Sequence, residues 1–209
     1  NILHEFLTGN FAEKDWGIVI ADNGSTDETS QIASRLSNNF NEISYFKVDR
    51  PGVGLALKSS WDKSSSVIVG FLDLDLATDL IHIKEAITAI KDDGFDFVYG
   101  SRLNKRSTVV DRPIHREVMS RVFNFLLKFM LGTKFSDGFC GFKFFRLSKW
   151  AELKGIGADN DGWFFSPELV ISAEFLGLSI HELPVKWTHG KDSRVKIIKH
   201  TLHSLRGIM

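Results

Sequence analysis

Short apolar runs alternate with segments of helical periodicity through the first half of the chain. The runs are rich in Val, Ile and Phe and predict four strands, at Trp16–Ala21, Ile43–Val48, Val67–Leu72 and Phe95–Tyr99. The segments between them predict helices over Asp27–Phe40, Gly54–Lys63 and Asp79–Asp92. Thr78 is the predicted N-cap of the third helix. This strand–helix–strand order predicts right-handed crossovers, a mostly parallel sheet and an α/β fold.

The second half begins with a long helix, predicted over Pro113–Leu131, which is apolar around most of its circumference. Such a helix is either buried or lies against an apolar surface, and both interpretations remain open. In the second interpretation, residues 112–131 form a membrane-interface helix. Three further elements are predicted, a strand at Gly141–Arg146, a helix at Pro167–Leu176 and a strand at Ser179–Val185. The last stretch, Val195–Met209, has the pattern of a basic amphipathic helix.

Charge is distributed unevenly although the 209 residues carry no net charge. Residues 1–100 hold 16 acidic and 8 basic side chains, whereas residues 101–209 hold 10 acidic and 18 basic ones. The basic half indicates an anionic partner such as a phosphate or a membrane surface, and it carries no recognisable nucleic-acid motif. The single cysteine, Cys140, cannot form an internal disulfide and is typical of a reducing compartment.

Carboxylates follow two of the predicted strands. Asp22 comes at the carboxyl end of the first strand, where open α/β sheets bind ligands. The alternative is a plain strand-to-helix turn in which Ser25 or Thr26 caps the next helix. Asp73 and Asp75 follow a hydrophobic strand, and strand alternation would direct both to one side. Hard oxygen ligands at a sheet edge favour Mg²⁺ or Mn²⁺ with a diphosphate.

These carboxylate segments carry a resemblance to a known family. The chain resembles the inverting family-2 glycosyltransferases of the GT-A fold, and within them the polyprenyl-phosphate (dolichyl-phosphate-type) hexose synthases. The segments that carry the resemblance are, in chain order, Asp22–Asp27, Arg50–Ala56, Asp73–Asp75, Gly100–Arg102, Asp137–Lys143, Trp163–Leu169, Glu182–Trp187 and Asp192–Val195. The resemblance implies a single Rossmann-like GT-A domain over residues 1–190, with helices on both faces of the sheet, and a basic segment over residues 191–209. It also implies a first strand, ending in a Pro-x-Tyr-Asn-Glu type segment, that this sequence does not contain.

The resemblance further implies the transfer of a hexose, with inversion, from a nucleotide-diphosphate sugar to a polyprenyl phosphate. Asp73 and Asp75 would hold the metal, and with Arg102 they would be the catalytic residues. The nucleotide-sugar site would comprise Asp22, Gly52, Gly54 and Asp73. The acceptor phosphate would be bound by Arg102, Lys143, Ser193 and Arg194. Asp137 and Glu168 would orient the site or act as a base.

Several expectations about donor, location and alternatives accompany this assignment. UDP-glucose is favoured over GDP-mannose by the segments around Cys140 and Trp163. Ala77 stands where related mannose synthases often carry a metal-binding Gln, so water and the diphosphate would complete the coordination. The expected location is the cytoplasmic face of a membrane, as a peripheral protein. The alternatives are a family-2 transferase acting on a saccharide or protein hydroxyl, and a non-catalytic module that binds nucleotides or membranes.

Overall fold

The computed structural model describes residues 2–12 and 15–190, which divide into two compact units, Asn1–Ser65 and Ser66–Met209. The predicted helix Val195–Met209 lies outside the described residues, as do Ser193 and Arg194. The predicted domain boundaries at residues 190 and 191 therefore stay predictions.

The first unit consists of two parallel strands and three helices. Its elements are α1 (Ile2–Asn10), β1 (Ile18–Asp22), α2 (Thr29–Asn39), β2 (Ile43–Lys47) and α3 (Val53–Trp61). β1 and β2 pair in register from Ile18 opposite Ile43 to Asp22 opposite Lys47. Helices α2 and α3 pack against this sheet. The sequence analysis missed α1, because its nine residues are too few for a clear helical period.

The second unit contains the larger sheet. Its elements are β3 (Ile68–Leu72), α4 (Ile81–Lys91), β4 (Phe97–Ser101), β5 (Thr108–Val110), α5 (Ile114–Leu131), β6 (Phe142–Arg146), α6 (Trp150–Ile156), α7 (Phe165–Phe175), β7 (Ile180–Pro184) and β8 (Lys186–Thr188). The strand order in the main sheet is β3-β6-β4-β7, and β5 pairs separately with β8. A 3₁₀ turn, Leu147–Lys149, connects β6 to α6.

Strand β6 is antiparallel to its two neighbours, β3 and β4, whereas β3, β4 and β7 all run in the same direction. Leu72, at the end of β3, pairs with Phe142 at the start of β6, and Tyr99 of β4 pairs with Lys143. The reversal therefore brings the loop before β6 to the edge where β3 and β4 end. The predicted α/β class is confirmed, and β6 is the exception to a mostly parallel arrangement.

Aromatic side chains fill the core beneath this sheet. Phe97 of β4 and Phe145 of β6 are fully buried cross-strand partners whose stacked rings have centroids 5.8 Å apart. Trp150 continues the cluster towards Phe165 of α7, with centroids 6.2 Å apart in an edge-to-face arrangement. Such ring pairs add about 0.5–1.5 kcal/mol each to the free energy gained by burial. The core fixes β4 and β6 side by side.

The predicted N-cap of α4 is wrong. Thr78 forms an isolated antiparallel bridge with Trp187 and lies three residues before the helix, whose N-cap position is occupied by Leu80. The helix begins at Ile81, and the Asp79 carboxylate accepts the Ile81 N–H at 3.2 Å. Pairing with a distant strand thus moves the helix start by two residues.

Helix α5 has one buried side and one exposed apolar side. Phe123, Asn124 and Leu127 are buried. The exposed apolar residues of the helix are Ile114, Val118, Val122, Phe125, Leu126, Phe129 and Met130. The buried side fits the first interpretation, and the membrane-interface helix over residues 112–131 stays a prediction for the exposed side. Among residues 2–12 and 15–190, no helix is long and apolar enough to cross a membrane.

Candidate active site

Asp73 and Asp75 lie in a tight turn directly after β3. The strand ends at Leu72, so a turn places the two carboxylates, and the predicted strand alternation does not. The Ala77 N–H donates to Asp75 Oδ1 at 3.1 Å, and the Leu76 N–H donates to the Asp73 carbonyl at 3.0 Å. Leu76 has a φ of 49°, a left-handed conformation that costs an L-residue about 1–2 kcal/mol. The surrounding structure therefore imposes the shape of this turn.

Gly141 provides the surface against which the Asp73 carboxylate lies. The Asp73 N–H donates to the Gly141 carbonyl at 3.0 Å. A Cβ at residue 141 would lie 2.1 Å from Asp73 Oδ1, so only glycine fits. Burial raises the pKa of Asp73, Arg102 opposes this rise, and the charge of Asp75 adds to it. The two carboxylates are thus close enough to repel each other, and a divalent cation would relieve that repulsion.

Arg102, in the loop after β4, forms a buried ion pair with Asp137 in the loop before β6. The guanidinium donates through Nε to Oδ2 at 2.7 Å and through Nη2 to Oδ1 at 2.9 Å. The Arg102 backbone N–H also donates to Oδ2, at 3.1 Å. Burial alone would raise the pKa of Asp137, but the guanidinium lowers it below its usual value. Both groups are charged, and the two-pronged contact fixes the plane of the guanidinium.

Lys143, on β6, binds the loop that precedes this strand through its buried side chain. Its side chain is fully buried, and Nζ donates to the carbonyls of Gly138 (3.0 Å) and Cys140 (2.6 Å) and to Ser166 Oγ (2.7 Å). Burial lowers the pKa of Lys143 to about 8. An ammonium has three donors, and all three are used here. These contacts favour a role in holding the loop, and the predicted contact with an acceptor phosphate is untested.

Two helices anchor the same loop through side chains that the sequence analysis did not select. Asn124 of α5 accepts the Gly138 N–H at 2.8 Å. The Glu174 carboxylate of α7 accepts the N–H groups of Lys134 (2.7 Å) and Phe135 (2.6 Å). The loop is thus fixed at both ends by polar side chains in helices. Nothing in the sequence distinguishes these two residues from other polar helical positions.

A polar network joins the loop after β4 to the loop before β6. Tyr99 donates to Glu182 Oε2 at 2.5 Å, and Asn104 donates to Glu182 Oε1 at 2.7 Å. The Tyr99 hydroxyl also accepts the Ser136 N–H at 3.2 Å, and the Ser101 and Ser136 hydroxyls lie 2.5 Å apart. Burial and the Glu182 carboxylate raise the pKa of Tyr99, so the phenol remains protonated. The network holds Arg102 and Asp137 in register.

In the first unit, Asp22 is a buried carboxylate that accepts three hydrogen bonds from protein donors. It accepts hydrogen bonds from the Ser25 N–H at 2.7 Å, Ser30 Oγ at 3.0 Å and Tyr45 Oη at 3.2 Å. Burial would raise its pKa, but these hydrogen bonds together lower it to about 2. The carboxylate is therefore ionised and its orientation is fixed.

The turn after Asp22 meets the segment that precedes α3. Gly24 has a φ of +90°, and a Cβ there would lie 3.1 Å from the Pro51 nitrogen. The Gly52 carbonyl accepts the Ala56 N–H at 3.0 Å, and Gly54 is buried in the first turn of α3. The structure therefore brings together Asp22, Gly52 and Gly54, the predicted nucleotide-binding residues of this unit. Their contact with a nucleotide is untested.

Neither Ser25 nor Thr26 caps α2, as the alternative interpretation of this segment required. The helix begins at Thr29, whose N–H donates to Asp27 Oδ1 at 3.0 Å. Ser25 instead donates its N–H to Asp22.

Glu168 lies in the first turn of α7 and binds backbone groups of the preceding loop. Its Oε2 accepts the N–H groups of Asp159 (3.2 Å) and Asn160 (2.7 Å). These contacts favour the orienting role of Glu168 over the role of a base. Asp137 is likewise engaged by Arg102.

The turn after β3 that carries Asp73 and Asp75, which we call the carboxylate turn, offers oxygen ligands that suit a hard divalent cation. Across the described residues, no three His, Cys, Asp or Glu side chains cluster in a way that could hold a metal. Asp73 and Asp75 are two oxygen ligands, and Mg²⁺ is commonly bound by one or two carboxylates together with substrate phosphates and water. The residues present therefore fit Mg²⁺ or Mn²⁺ completed by a diphosphate.

Comparison with protein families places most of the chain in one family. The pattern of "Glycosyl transferase family 2" matches residues 2–153, which include the carboxylate turn, Arg102 and Asp137. The match ends before α7.

Alignments with curated relatives extend over most of the chain. The chain is 33% identical over 201 residues to "Glycosyltransferase AglD" of Haloferax volcanii, covering 96% of this chain and 31% of AglD. It is 26% identical to "Dolichyl-phosphate beta-glucosyltransferase ALG5D" of Trichomonas vaginalis, covering 91% and 61% of the two chains. It is also 26% identical to "Polyprenol monophosphomannose synthase" of Mycolicibacterium smegmatis, covering 82% and 66%. The chain thus spans about a third of AglD and about three fifths of ALG5D, and the resemblance to polyprenyl-phosphate sugar synthases is confirmed.

Solved structures support the fold. Glucosyl-3-phosphoglycerate synthase from Mycobacterium tuberculosis, in complex with Mn²⁺, uridine diphosphate and glucosyl-3-phosphoglycerate, superposes with a TM-score of 0.64 at 16% identity. The superposition covers 92% of this chain and 66% of that one. The predicted GT-A fold is confirmed.

Replacing Gly141 with Ala is expected to destabilise the protein, because the new Cβ would overlap the Asp73 carboxylate. Overpacking of this kind lowers the free energy of unfolding by about 1–3 kcal/mol, which urea denaturation would measure. Gly155 in α6 is the matched control, since no atom lies within 4 Å of a Cβ built there. Gly155→Ala should be neutral or stabilise the helix by about 0.5–1 kcal/mol. A Gly141→Ala protein as stable as the native one would contradict the packing described.

Asp22→Asn is expected to lower the free energy of unfolding by about 2 kcal/mol at neutral pH, since the native pKa lies near 2 instead of 3.8. A depressed folded-state pKa stabilises the protein above the unfolded-state pKa, and this stabilisation is lost as the pH falls. The difference between native and variant should therefore shrink between about pH 4 and pH 2 in urea titrations. Asp15→Asn, which alters an exposed carboxylate, is the control. A difference that does not change with pH would contradict the assignment.

Proposed function

The chain belongs to glycosyl transferase family 2, and from this premise we propose that it transfers a hexose, with inversion, from a nucleotide-diphosphate sugar to a polyprenyl phosphate. The observation that supports this best is the adjacency of the carboxylate turn and Arg102. The loop before β6 contacts both of them, because the Gly141 carbonyl accepts the Asp73 N–H and the Asp137 carboxylate binds the Arg102 guanidinium. A cation site for a leaving diphosphate and a fixed positive charge for an incoming phosphate would thus lie side by side.

Asp73 and Asp75 would hold Mg²⁺ or Mn²⁺ together with the diphosphate of the donor. When bound, the cation would neutralise the departing diphosphate as a Lewis acid. Asp22, Gly52 and Gly54 would contact the nucleotide, with the ionised Asp22 carboxylate accepting hydrogen bonds from a base or a ribose. UDP-glucose is the donor that we favour, in line with the dolichyl-phosphate glucosyltransferases among the relatives. GDP-mannose is the alternative, in line with the polyprenol monophosphomannose synthase.

The acceptor is proposed to be a phosphate because it requires no strong base. A phosphate monoester is already an anionic oxygen nucleophile at neutral pH, so the protein needs only to position it and balance its charge. Arg102 would bind it in the orientation that Asp137 fixes, and Ser193 and Arg194 would assist. A hydroxyl acceptor would need a free carboxylate as base, yet Asp137 and Glu168 both accept hydrogen bonds from protein donors. This favours the phosphate acceptor over the saccharide or protein hydroxyl.

A transfer assay with radiolabelled UDP-glucose and GDP-mannose, a short polyprenyl phosphate and Mn²⁺ tests the proposal. We expect a lipid-linked, mild-acid-labile product from one donor, and a loss of about 100-fold or more in rate for Asp75→Asn. Asp93→Asn is the matched control, because Asp93 is an exposed carboxylate in the loop after α4. Native activity in Asp75→Asn would overturn the metal assignment. Transfer only to a hydroxyl acceptor would overturn the phosphate acceptor, and no metal-dependent binding of either donor would favour a non-catalytic module.

The exposed side of α5 supports a peripheral location at a membrane, and the cytoplasmic face is the one that we propose. Ile114, Val118, Val122, Phe125 and Phe129 recur every three or four residues and form one apolar stripe. Phe125 and Phe129 are 65% and 79% exposed, which is unusual for phenylalanine. The exposed side chains of Lys105, Arg106 and Arg121 add positive charge in the same part of the chain. An apolar stripe with nearby cations is typical of helices that lie in a membrane interface.

Replacing both Phe125 and Phe129 with Ser is expected to weaken vesicle binding by about 10-fold or more, because each buried phenylalanine contributes about 1.5–3 kcal/mol. Sedimentation with vesicles of phosphatidylcholine and phosphatidylglycerol measures this. Ile156→Ser, at an exposed apolar position of α6, is the control and should bind as the native protein does. Equal binding of the double variant would place the membrane contact elsewhere.

A further inference from the structure

Trp187 carries two guanidinium groups on its indole ring. The residue lies in the middle of β8 and is 8% exposed. The Arg102 Cζ lies 5.6 Å from the centroid of the ring, and the Arg112 Cζ lies 5.8 Å from it. Contacts of this kind are attractive, and the attraction is stronger where the pair is shielded from water. Two guanidinium groups from separate segments thus lie against the same ring.

Three separate segments build this arrangement. Arg102 follows β4, Arg112 lies between β5 and α5, and β8 pairs with β5 so that Val109 faces Trp187. Asp111, directly before Arg112, has a φ of 57°, the left-handed conformation that side chains rarely adopt. The chain therefore bends sharply to bring Arg112 onto the ring.

Arg112 is the less fully neutralised of the two guanidinium groups. Arg102 has Asp137 to itself, whereas Arg112 shares Glu117 with Arg121. The side chains of Arg102 and Arg112 are 12% and 6% exposed, so water screens them little. Burial lowers the pKa of Arg112, and the charge of Arg102 lowers it further. Two like charges in such surroundings are stabilised by an anion that binds both.

We propose that Arg102 and Arg112, supported by Trp187, form one anion subsite that binds the phosphate of the acceptor. This inference rests on the proposed function for the identity of the acceptor. Arg112 is an anion-binding residue in this subsite, and Trp187 is a positioning residue. Guanidinium groups suit the task because each carries five N–H donors, and the hydrogen bonds to Asp137, Glu117, Ser120 and the Arg116 carbonyl use at most three of them on either group. Because Arg112 directly precedes α5, the subsite would lie beside the helix that we propose for the membrane.

A purely structural role for Arg112 is the competing explanation. Its guanidinium donates to Glu117 Oε2 at 2.7 Å and to Ser120 Oγ at 2.5 Å, and both residues lie in α5. These bonds alone would serve to hold the start of the helix. A lysine could still pair with Glu117, so a structural role would leave phosphate binding largely intact in Arg112→Lys. The charge-preserving variant therefore separates the two roles.

The experiment measures binding of inorganic phosphate and of geranyl phosphate to the full chain by ³¹P NMR titration, without donor or metal. Arg112→Lys is expected to bind both probes about 10-fold more weakly in a protein that remains folded by circular dichroism. Arg121→Lys is the matched control, because Arg121 shares Glu117 but is 58% exposed and is not in contact with Trp187 in the described structure. Native affinity in a folded Arg112→Lys protein would overturn the subsite.

Glu117→Gln keeps the proposal testable if Arg112→Lys does not fold. Removing the carboxylate that competes for Arg112 should strengthen phosphate binding, by about threefold, if Arg112 binds anions. Equal or weaker binding in a folded Glu117→Gln protein would overturn the subsite.

In the transfer assay, Arg112→Lys should raise the KM for the lipid phosphate about 10-fold and leave the KM for the nucleotide sugar unchanged. A rise in the donor KM alone would overturn the assignment to the acceptor. Binding of the probes that depends on Arg112, in a protein without transfer activity, would refute the proposed function and leave the anion subsite standing.

Discussion

The ion pair between Arg102 and Asp137 is the constraint on which the second unit depends. A fully buried carboxylate is tolerated only when it is paired and hydrogen-bonded, and removing one partner of such a pair typically costs about 3–5 kcal/mol. The loop after β4 and the loop before β6 must therefore stay in contact. Tyr99 with Glu182, Asn124 and Lys143 all bind these same two loops. The polar interior of this unit thus serves one purpose, to hold a guanidinium in place beside a carboxylate turn.

Much of the architecture follows from the apolar pattern. Strands such as Ile43–Lys47 and Ile68–Leu72 lie within a residue or two of their predicted positions, because dense runs of β-branched and aromatic residues have few other uses. The pattern fails where an element is short or owes its structure to a distant partner. β5 and β8 have three residues each and form a separate two-stranded sheet with each other. The start of α4 was misplaced for the same reason, since Thr78 pairs with Trp187.

The site was predictable to the extent that it consists of motifs. The Asp73–Asp75 turn and Asp22 could be selected from sequence because each stands at the end of an apolar strand, and Arg102 could be selected through the family resemblance. The direction in which a side chain points could not be predicted from such motifs. Lys143 looked like a phosphate ligand, yet it points into the protein and binds two carbonyls. Arg112 and Trp187 were missed because their meeting joins segments that are far apart in the chain, and no local pattern records such a meeting.

The reversed strand β6 has a consequence for how this unit folds. β3 and β4 are successive strands in the chain, yet they are not neighbours in the sheet, because β6 lies between them. The two strands whose ends carry Asp73 and Arg102 are thus connected only after residues 137–146 have inserted between them, and both strands are synthesised before those residues. Contacts between distant segments form slowly, because the intervening loop must first be closed. On a ribosome the carboxylate turn would therefore emerge long before the glycine that supports it, and the site would be completed late, by a single insertion.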